Sequence, residues 1–396
     1  MPLRLPSHLF GPARPALLAA AFVASCGGGV DSGGTGAPPT AFASGAISGF
    51  GSVIVAGVHF DDRTAAVADA DGNARSRDDL RLGMTVDARG SAIVKDADGN
   101  DASTATSIVV RSEMIGPVGA SDLVARTLTV LGQTIDIAAT TVFDDALAGG
   151  QAALAIGDVV EVYASVDAAT GHYLATRIER KTGVAAFALR GIVAGLDATA
   201  RAFSIGATRI SYAGVAAPPA LANGSFVRVA LALVPGAGGV WSAIAIGDRT
   251  PALDDRDEAK LEGLVSAFTS TAQFSVNGTP VDARAAQFPD GTAGLAVGKR
   301  VEVEGSTRNG VLVATRVRLG SDSQGGGEFD VRGAIASLDV VAKTFVVRNV
   351  IVSYSGAVDF RNGTALDLAP GIEVEARGML TGDGTRLQAT RIDFRR

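Results

Sequence analysis

The chain has 396 residues, of which 47% are hydrophobic but only 5% aromatic, and it carries 50 glycines and a net charge of -6. Nucleic acid is an unfavourable partner for so acidic a chain, because phosphate binding needs clustered lysine and arginine, and the many aliphatic residues argue against intrinsic disorder. The single cysteine excludes an internal disulfide, and a lone thiol does not make a zinc site.

Residues 1–25 are predicted to be a secretory signal peptide. Arg4 and Arg14 supply the positive charge beside the apolar segment PALLAAAFVA, which is too short to span a bilayer. The last four residues of the segment 1–26, Val23-Ala24-Ser25-Cys26, resemble the lipobox of bacterial lipoproteins. The resemblance implies that Cys26 is acylated and becomes the mature N-terminus, and Gly27 after it implies sorting to the outer membrane. The alternative is an ordinary signal peptide with a chance cysteine.

Residues 26–43 are predicted to be a flexible tether, since GGGVDSGGTGAPPT offers no side chains for a core. A lipid anchor followed by a tether places the folded part in the cell envelope, at the outer membrane and facing the periplasm or the cell surface. The predicted partners are the membrane, through the anchor, and an envelope protein or glycan.

The remaining sequence is predicted to be five tandem copies of one unit. Each copy opens with a glycine in an alternating strand, and these glycines are spaced by 71, 75, 72 and 70 residues. They are Gly45, Gly116, Gly191, Gly263 and Gly333. Regular spacing of this kind is typical of repeat architectures. The predicted units are 44–115, 116–189, 190–261, 262–331 and 332–396.

Each unit is predicted to be a small OB-like β-barrel, so the fold class is all-β. Three short strands, a small Ala/Leu-rich turn and two more strands give the strand count and order of that fold, and closure removes exposed edges. In the second unit, Val160 and Val162 alternate with Glu161 and Tyr163, the pattern of a half-buried strand.

A repeated phrase closes each unit: ATSI at 105–108, ATRI at 175–178, AIAI at 243–246, ATRV at 314–317 and ATRI at 389–392. The arginine is replaced by Ser107 in the first copy and by Ala245 in the third, whereas the small first residue and the aliphatic last residue occur in all five. The phrase is therefore interpreted as a packing requirement of the last strand, not as a repeated binding site.

The segments SGFGSVIVAGVHF (48–60) and LRLGMTVDARG (80–90), followed by RTLTVLGQTIDIAATTVFDD and later by VEVEG and ATRV, resemble the bacterial lipoprotein repeats known as domain of unknown function 5666. The resemblance is weaker in the third unit, where RVALALVP lacks the acidic residue and the glycine. It implies tandem copies in an envelope lipoprotein and no assigned chemistry.

The sequence indicates no catalytic or metal centre. His59 and His172 have no local partner with which to form a metal site, and both are predicted to be solvated or hydrogen-bonded side chains. DADGN occurs at 69–73 and 96–100. Counted from its first aspartate, neither copy has the glycine at position six or the glutamate at position twelve of a calcium loop, so each is predicted to be a hairpin turn. There is no Gly-x-Ser-x-Gly elbow, and no cofactor is expected.

The expected function is a non-catalytic, lipid-anchored envelope protein with a structural or protein-interaction role. The alternative is an oligosaccharide-binding protein, because OB-type faces also bind sugars. Its candidate stacking residues are Trp241, Tyr163 and Tyr173, although Trp241 is also well placed to pack against the core.

Overall fold

The computed structural model describes residues 40–216, 220–248, 253–320 and 327–395. Regular structure in this part of the chain consists of β-strands and a few 3-10 helices. The 3-10 helices are Arg77–Asp79, Gly150–Ala153, Ala237–Gly239 and Ala365–Asp367. The strands fall into five groups, here called barrels 1 to 5.

Barrel 1 contains β1 (Thr40–Phe50), β2 (Val53–Val55), β3 (Val58–Asp61), β4 (Ala66–Asp69), β5 (Ala74–Arg75), β6 (Thr85–Ser91), β7 (Val94–Lys95) and β8 (Asp101–Val110). Barrel 2 contains β9 (Met114–Asp122), β10 (Thr127–Val130), β11 (Gln133–Phe143), β12 (Val159–Asp167) and β13 (His172–Arg180). Barrel 3 contains β14 (Phe187–Asp197), β15 (Ala202–Ile205), β16 (Thr208–Ser211), β17 (Phe226–Leu231) and β18 (Trp241–Asp248).

Barrel 4 contains β19 (Arg256–Ser270), β20 (Gln273–Val276), β21 (Thr279–Asp282), β22 (Arg300–Arg308) and β23 (Val311–Leu319). Barrel 5 contains β24 (Phe329–Ala334), β25 (Ser337–Asp339), β26 (Thr344–Val347), β27 (Val350–Ser353), β28 (Asp359–Arg361), β29 (Glu373–Leu380) and β30 (Leu387–Phe394).

All five groups follow the strand order of an OB-type barrel, which barrel 2 shows most simply. Strands β9, β10 and β11 form an antiparallel meander, β11 pairs in parallel with β13, β13 pairs with β12, and β12 returns to β9. The parallel third–fifth pairing recurs in the other four groups, as does the antiparallel pairing of the fourth strand with the first. The prediction of an all-β chain of small OB-like barrels is confirmed.

The first strands of barrels 1 and 4 begin earlier than the sequence predicted, because these two strands pair with each other. Residues 40–43, assigned to the tether, belong to β1, and residues 256–261, assigned to the third unit, belong to β19 of barrel 4. Ala41–Ser44 and Glu258–Leu261 pair with each other in parallel. Each extension therefore provides backbone hydrogen-bond partners for the other, although the two segments are more than 200 residues apart in the sequence.

The barrels do not keep separate cores. One buried cluster joins barrels 1 and 5, a second joins barrels 2 and 3, and a third belongs mainly to barrel 4. First strands mediate these junctions: Gly49–Phe50 of β1 pairs with β24, and β9 pairs with β14 at Met114 and Ile115. A domain of about 70 residues buries little surface alone, so pairing of barrels extends each core.

This pairing also covers outer faces of the barrels. Val160 and Val162 lie in the core of barrel 2 as predicted, but Glu161 and Tyr163 on the opposite face are buried as well, and Tyr163 packs into the cluster of barrels 1 and 5. The prediction of a half-buried strand is wrong here, because neighbouring barrels replace solvent on the outer face.

The repeated Ala-Thr-Arg phrase forms a β-bulge. In every barrel the pairing of the fourth and fifth strands shifts by one residue at the same place, which leaves the second residue of the phrase unpaired. The alanine before the bulge is buried in all five copies, and the closing aliphatic residue is buried or packs against the core. The packing interpretation of the phrase is confirmed.

Candidate functional site

A cavity of about 600 Å³ lies where barrels 1 to 4 meet. Its walls include parts of three first strands, with Ser44 on β1, Ile192 on β14 and Glu262 on β19, together with Thr176 on β13. The first strands reach this position because they mediate the contacts between barrels. The cavity is therefore a product of the assembly and belongs to no single unit.

Three ion pairs lie in the cavity lining. Arg111 binds Asp87, Arg190 lies 3.4 Å from Glu113, and Arg300 lies 3.1 Å from Glu262. Burial lowers the pKa of the Arg190 guanidinium, and the nearby Glu113 carboxylate opposes this shift. Each carboxylate of the lining thus has its own arginine, so the six charges sum to zero.

Three lining residues keep a buried side-chain oxygen that has no hydrogen-bond partner among the described residues. These oxygens are Asp87 Oδ1, Glu113 Oε2 and Thr176 Oγ1. Thr176 differs in this respect from Thr106, Thr315 and Thr390 at the same bulge, whose hydroxyls donate to a carbonyl of the fourth strand at 3.1, 3.2 and 3.1 Å. Unpaired polar atoms in buried positions are costly, so three such oxygens around one cavity call for hydrogen-bond partners.

A second, more polar cavity of about 300 Å³ lies between barrels 1 and 5. Arg377 binds Asp330 at 2.9 Å and Glu375 at 2.6 Å, and His59 lines the same space. Burial raises the pKa of Asp330 to about 6, with a further contribution from the Glu375 carboxylate. Burial lowers the pKa of His59.

The aromatic residues predicted to stack on sugars are placed in packing roles. Trp241 is half-buried, with its ring edge against Phe187 at a centroid distance of 5.7 Å. Tyr163 is fully buried, and Tyr173 is 3% exposed with its hydroxyl donating to the Arg190 carbonyl at 2.8 Å. A sugar ring cannot stack on either tyrosine in this conformation. Tyr173 does line the four-barrel cavity.

The two tyrosines are expected to respond oppositely to loss of the hydroxyl. The Tyr163 hydroxyl is buried and has no hydrogen-bond partner among the residues described, so Tyr163→Phe is expected to raise the free energy of unfolding by about 1 kcal/mol. Tyr173→Phe breaks the bond to the Arg190 carbonyl and is expected to lower it by about 1 kcal/mol. Urea denaturation of the matched pair measures both effects, and equal changes would contradict the assignment.

His172 and the DADGN turns adopt the roles predicted for them. His172 Nδ1 lies 3.1 Å from a carboxylate oxygen of Asp136. In each turn the first aspartate accepts hydrogen bonds from backbone N–H groups two and four residues later, as Asp69 does from Asp71 and Asn73. These carboxylates stabilise hairpin turns, and the hairpin prediction is confirmed.

The lipid-attachment residue Cys26 lies outside the described residues. Within residues 40–395, excluding the three internal gaps, no helix has the length and apolar character needed to cross a membrane. The same part of the chain contains no group of three or more potential metal ligands among His, Cys, Asp and Glu.

Sequence reasoning missed the charged residues that lie between barrels, although a signal was present. The fourth strand of every unit carries one charged residue between two aliphatic ones. These residues are Asp87, Glu161, Arg228, Glu302 and Glu375, and all except Glu302 are buried. A charge at that position in all five copies predicts a polar contact on the outer face of each barrel.

Comparison with known proteins supports the repeat. The family model described as domain of unknown function (DUF5666) matches residues 116–179, 262–318 and 332–393. No curated protein matches the chain. A solved structure of drosophila Unr CSD456 matches with 14% identity and a TM-score of 0.15, covering 52% of this chain and 97% of that one. The three matched segments begin where the second, fourth and fifth units were predicted to begin, and the match therefore supports tandem repeats of this domain between residues 116 and 393.

Proposed function

We propose that the protein is a non-catalytic, lipid-anchored component of the cell envelope with a structural or protein-interaction role. The observation that supports this role best is the way barrel 1 holds the other four barrels. Polar contacts connect it to each of them, among which are Arg177 Nη1 to the Leu82 carbonyl at 3.2 Å, Arg228 to Asp71 at 2.9 Å, Lys260 to Asp101 at 2.8 Å and Arg348 to Asp62 at 3.0 Å.

These contacts, with the shared first strands, make one body from repeats that would be marginal alone. Such a body offers outer surfaces in fixed relative positions, which suits a scaffold better than a string of independent modules does. The predicted anchor at Cys26 and the Gly-rich tether would hold this body close to a membrane and leave it free to reorient.

Cys26→Ala is expected to release the protein from membranes into the soluble periplasmic fraction, because the acyl chains would have no attachment site. Fractionation of cells expressing the full chain, followed by immunoblotting, measures this shift. Ser32→Ala in the tether is the matched control and should leave the protein with the membranes. Cys26→Ala protein that still sediments with membranes would contradict the anchor, and turnover of any substrate in a hydrolase panel would contradict the non-catalytic role.

A further inference from the structure

We propose that the cavity between barrels 1 to 4 binds a neutral, polyhydroxylated molecule of monosaccharide or disaccharide size. The proposal does not rest on the scaffold role and adds a ligand to it. It also differs from sugar stacking on exposed aromatic rings, because the site lies within the assembly.

The size of the cavity is suited to such a ligand. Small-molecule sites in proteins typically enclose about 300–1,000 Å³, and this cavity encloses about 600 Å³. Sites of this kind occur preferentially where domains meet. The lining draws on barrels 1, 2, 3 and 4.

The charge of the lining favours a neutral ligand. Asp87, Glu113 and Glu262 are each paired with an arginine of the same lining. A ligand of net charge would have to leave water without an uncompensated opposite charge to receive it, which is unfavourable. A neutral molecule avoids that cost and still hydrogen-bonds to the charged groups.

The free acceptors of the lining require hydrogen-bond donors. Asp87 Oδ1 and Glu113 Oε2 have no partner among the described residues, although the other oxygen of each carboxylate binds an arginine. An ionised carboxylate only accepts, so these atoms can be satisfied by O–H or N–H groups. Several hydroxyls on one small frame supply such donors without adding charge.

Thr176 provides an independent indication. The threonines at the same bulge of barrels 1, 4 and 5 donate to their own fourth strand, whereas Thr176 lines the cavity and its buried hydroxyl lacks that bond. A hydroxyl both donates and accepts, so it can pair with a ligand hydroxyl in either direction. One copy of the repeat has therefore lost an internal bond at the place where the cavity forms.

The remaining walls include apolar surface for the carbon face of a sugar. Ile192 and Phe226 lie on neighbouring strands of barrel 3 and line the cavity. The Arg190 guanidinium lies 4.8 Å from the centroid of the Phe226 ring and holds that ring in place. A mainly apolar lining with a few polar groups is typical of small-molecule sites.

Isothermal titration calorimetry on the full chain, purified in a detergent without a sugar headgroup, tests the proposal. Glucose, galactose, N-acetylglucosamine, maltose and trehalose are the neutral probes, and lysine and glutamate are the charged ones. At least one saccharide is expected to bind saturably at one site per chain. Absence of binding by every saccharide, or binding of the charged probes alone, would overturn the proposal.

Two pairs of variants locate the binding. Thr176→Val is expected to weaken it about tenfold through loss of one hydrogen bond, whereas Thr315→Val, at the same bulge of barrel 4, should not change it. Ile192→Trp fills the cavity and is expected to abolish binding, whereas Ile244→Trp changes an equally exposed isoleucine of barrel 3 outside the lining. Thermal melts verify folding of each variant. Unchanged saccharide binding in Ile192→Trp would place the ligand elsewhere and refute the site.

Discussion

Phe345→Ala is expected to lower the free energy of unfolding by about 3–5 kcal/mol, the usual cost of truncating a fully buried phenylalanine. Phe345 lies on β26 with 1% of its surface exposed, and its ring packs against Tyr354 at a centroid distance of 6.0 Å. It belongs to the buried cluster that includes Phe60 and Phe50 of barrel 1. The cavity left by the ring would therefore weaken barrel 1 as well as barrel 5.

Hydrogen exchange followed by mass spectrometry measures where the loss is felt. In Phe345→Ala, protection is expected to fall in peptides from β3 of barrel 1 as well as in peptides from β26 and β27, since local opening follows cooperative units. Val341→Ala is the control, because Val341 is 92% exposed on the same barrel and should leave both regions unchanged. Reduced protection in barrel 5 alone would show that the two cores are independent.

The barrels themselves could be predicted from the sequence because each strand carries its own signal. Val301 and Val303 of β22, for example, alternate with charged residues, and both are fully buried in barrel 4. Period-two alternation follows directly from strand geometry, and recurring glycines define the length of the unit. The order of the main strands and the packing role of the closing phrase depend on such local features, as do the five strands of barrels 2, 3 and 4, whereas barrels 1 and 5 contain eight and seven.

Contacts between barrels could not be predicted, because they join residues that are distant in sequence. Ala41 pairs with Glu258 in the parallel contact of β1 and β19, and neither segment carries a signal for the other. The burial of Glu161 and Tyr163 could not be predicted either. Their alternation with Val160 and Val162 correctly places the two pairs on opposite faces of the strand. Alternation does not specify whether solvent or another barrel covers the outer face.

The four-barrel cavity was missed for the same reason. Thr176 stands in a phrase that is nearly identical in three units, so the sequence gives no ground for separating it from Thr315 or Thr390. Only the position of barrel 2 beside its neighbours makes the second copy different. Repeats that share a packing requirement can therefore differ in the hydrogen bonds of their side chains without a change in the repeated residues.

Arg348→Ala is expected to lower the free energy of unfolding by about 3–5 kcal/mol, because it leaves a buried carboxylate without its counter-ion. Arg348 Nη2 lies 3.0 Å from Asp62, whose side chain is only 3% exposed, and the pair joins barrel 5 to barrel 1. The guanidinium also lies 5.5 Å from the centroid of the Phe50 ring. Arg348 has a left-handed φ of 49°, which alanine tolerates no better than arginine, so the measured change reports on the side chain.

Chemical denaturation of the Arg348→Ala and Arg361→Ala chains separates a buried ion pair from an exposed one. Arg361 and Asp359 are both more than half exposed, so that variant is expected to cost less than about 1 kcal/mol. Adding Asp62→Asn to Arg348→Ala should recover part of the lost stability, because it removes the uncompensated charge. If both single variants cost the same, or if Asp62→Asn makes the first one worse, the pair does not hold barrels 1 and 5 together. Barrel 1 would then be held to barrel 5 by apolar packing, strand pairing and the longer contacts of Asp98 with Arg332 and Arg395.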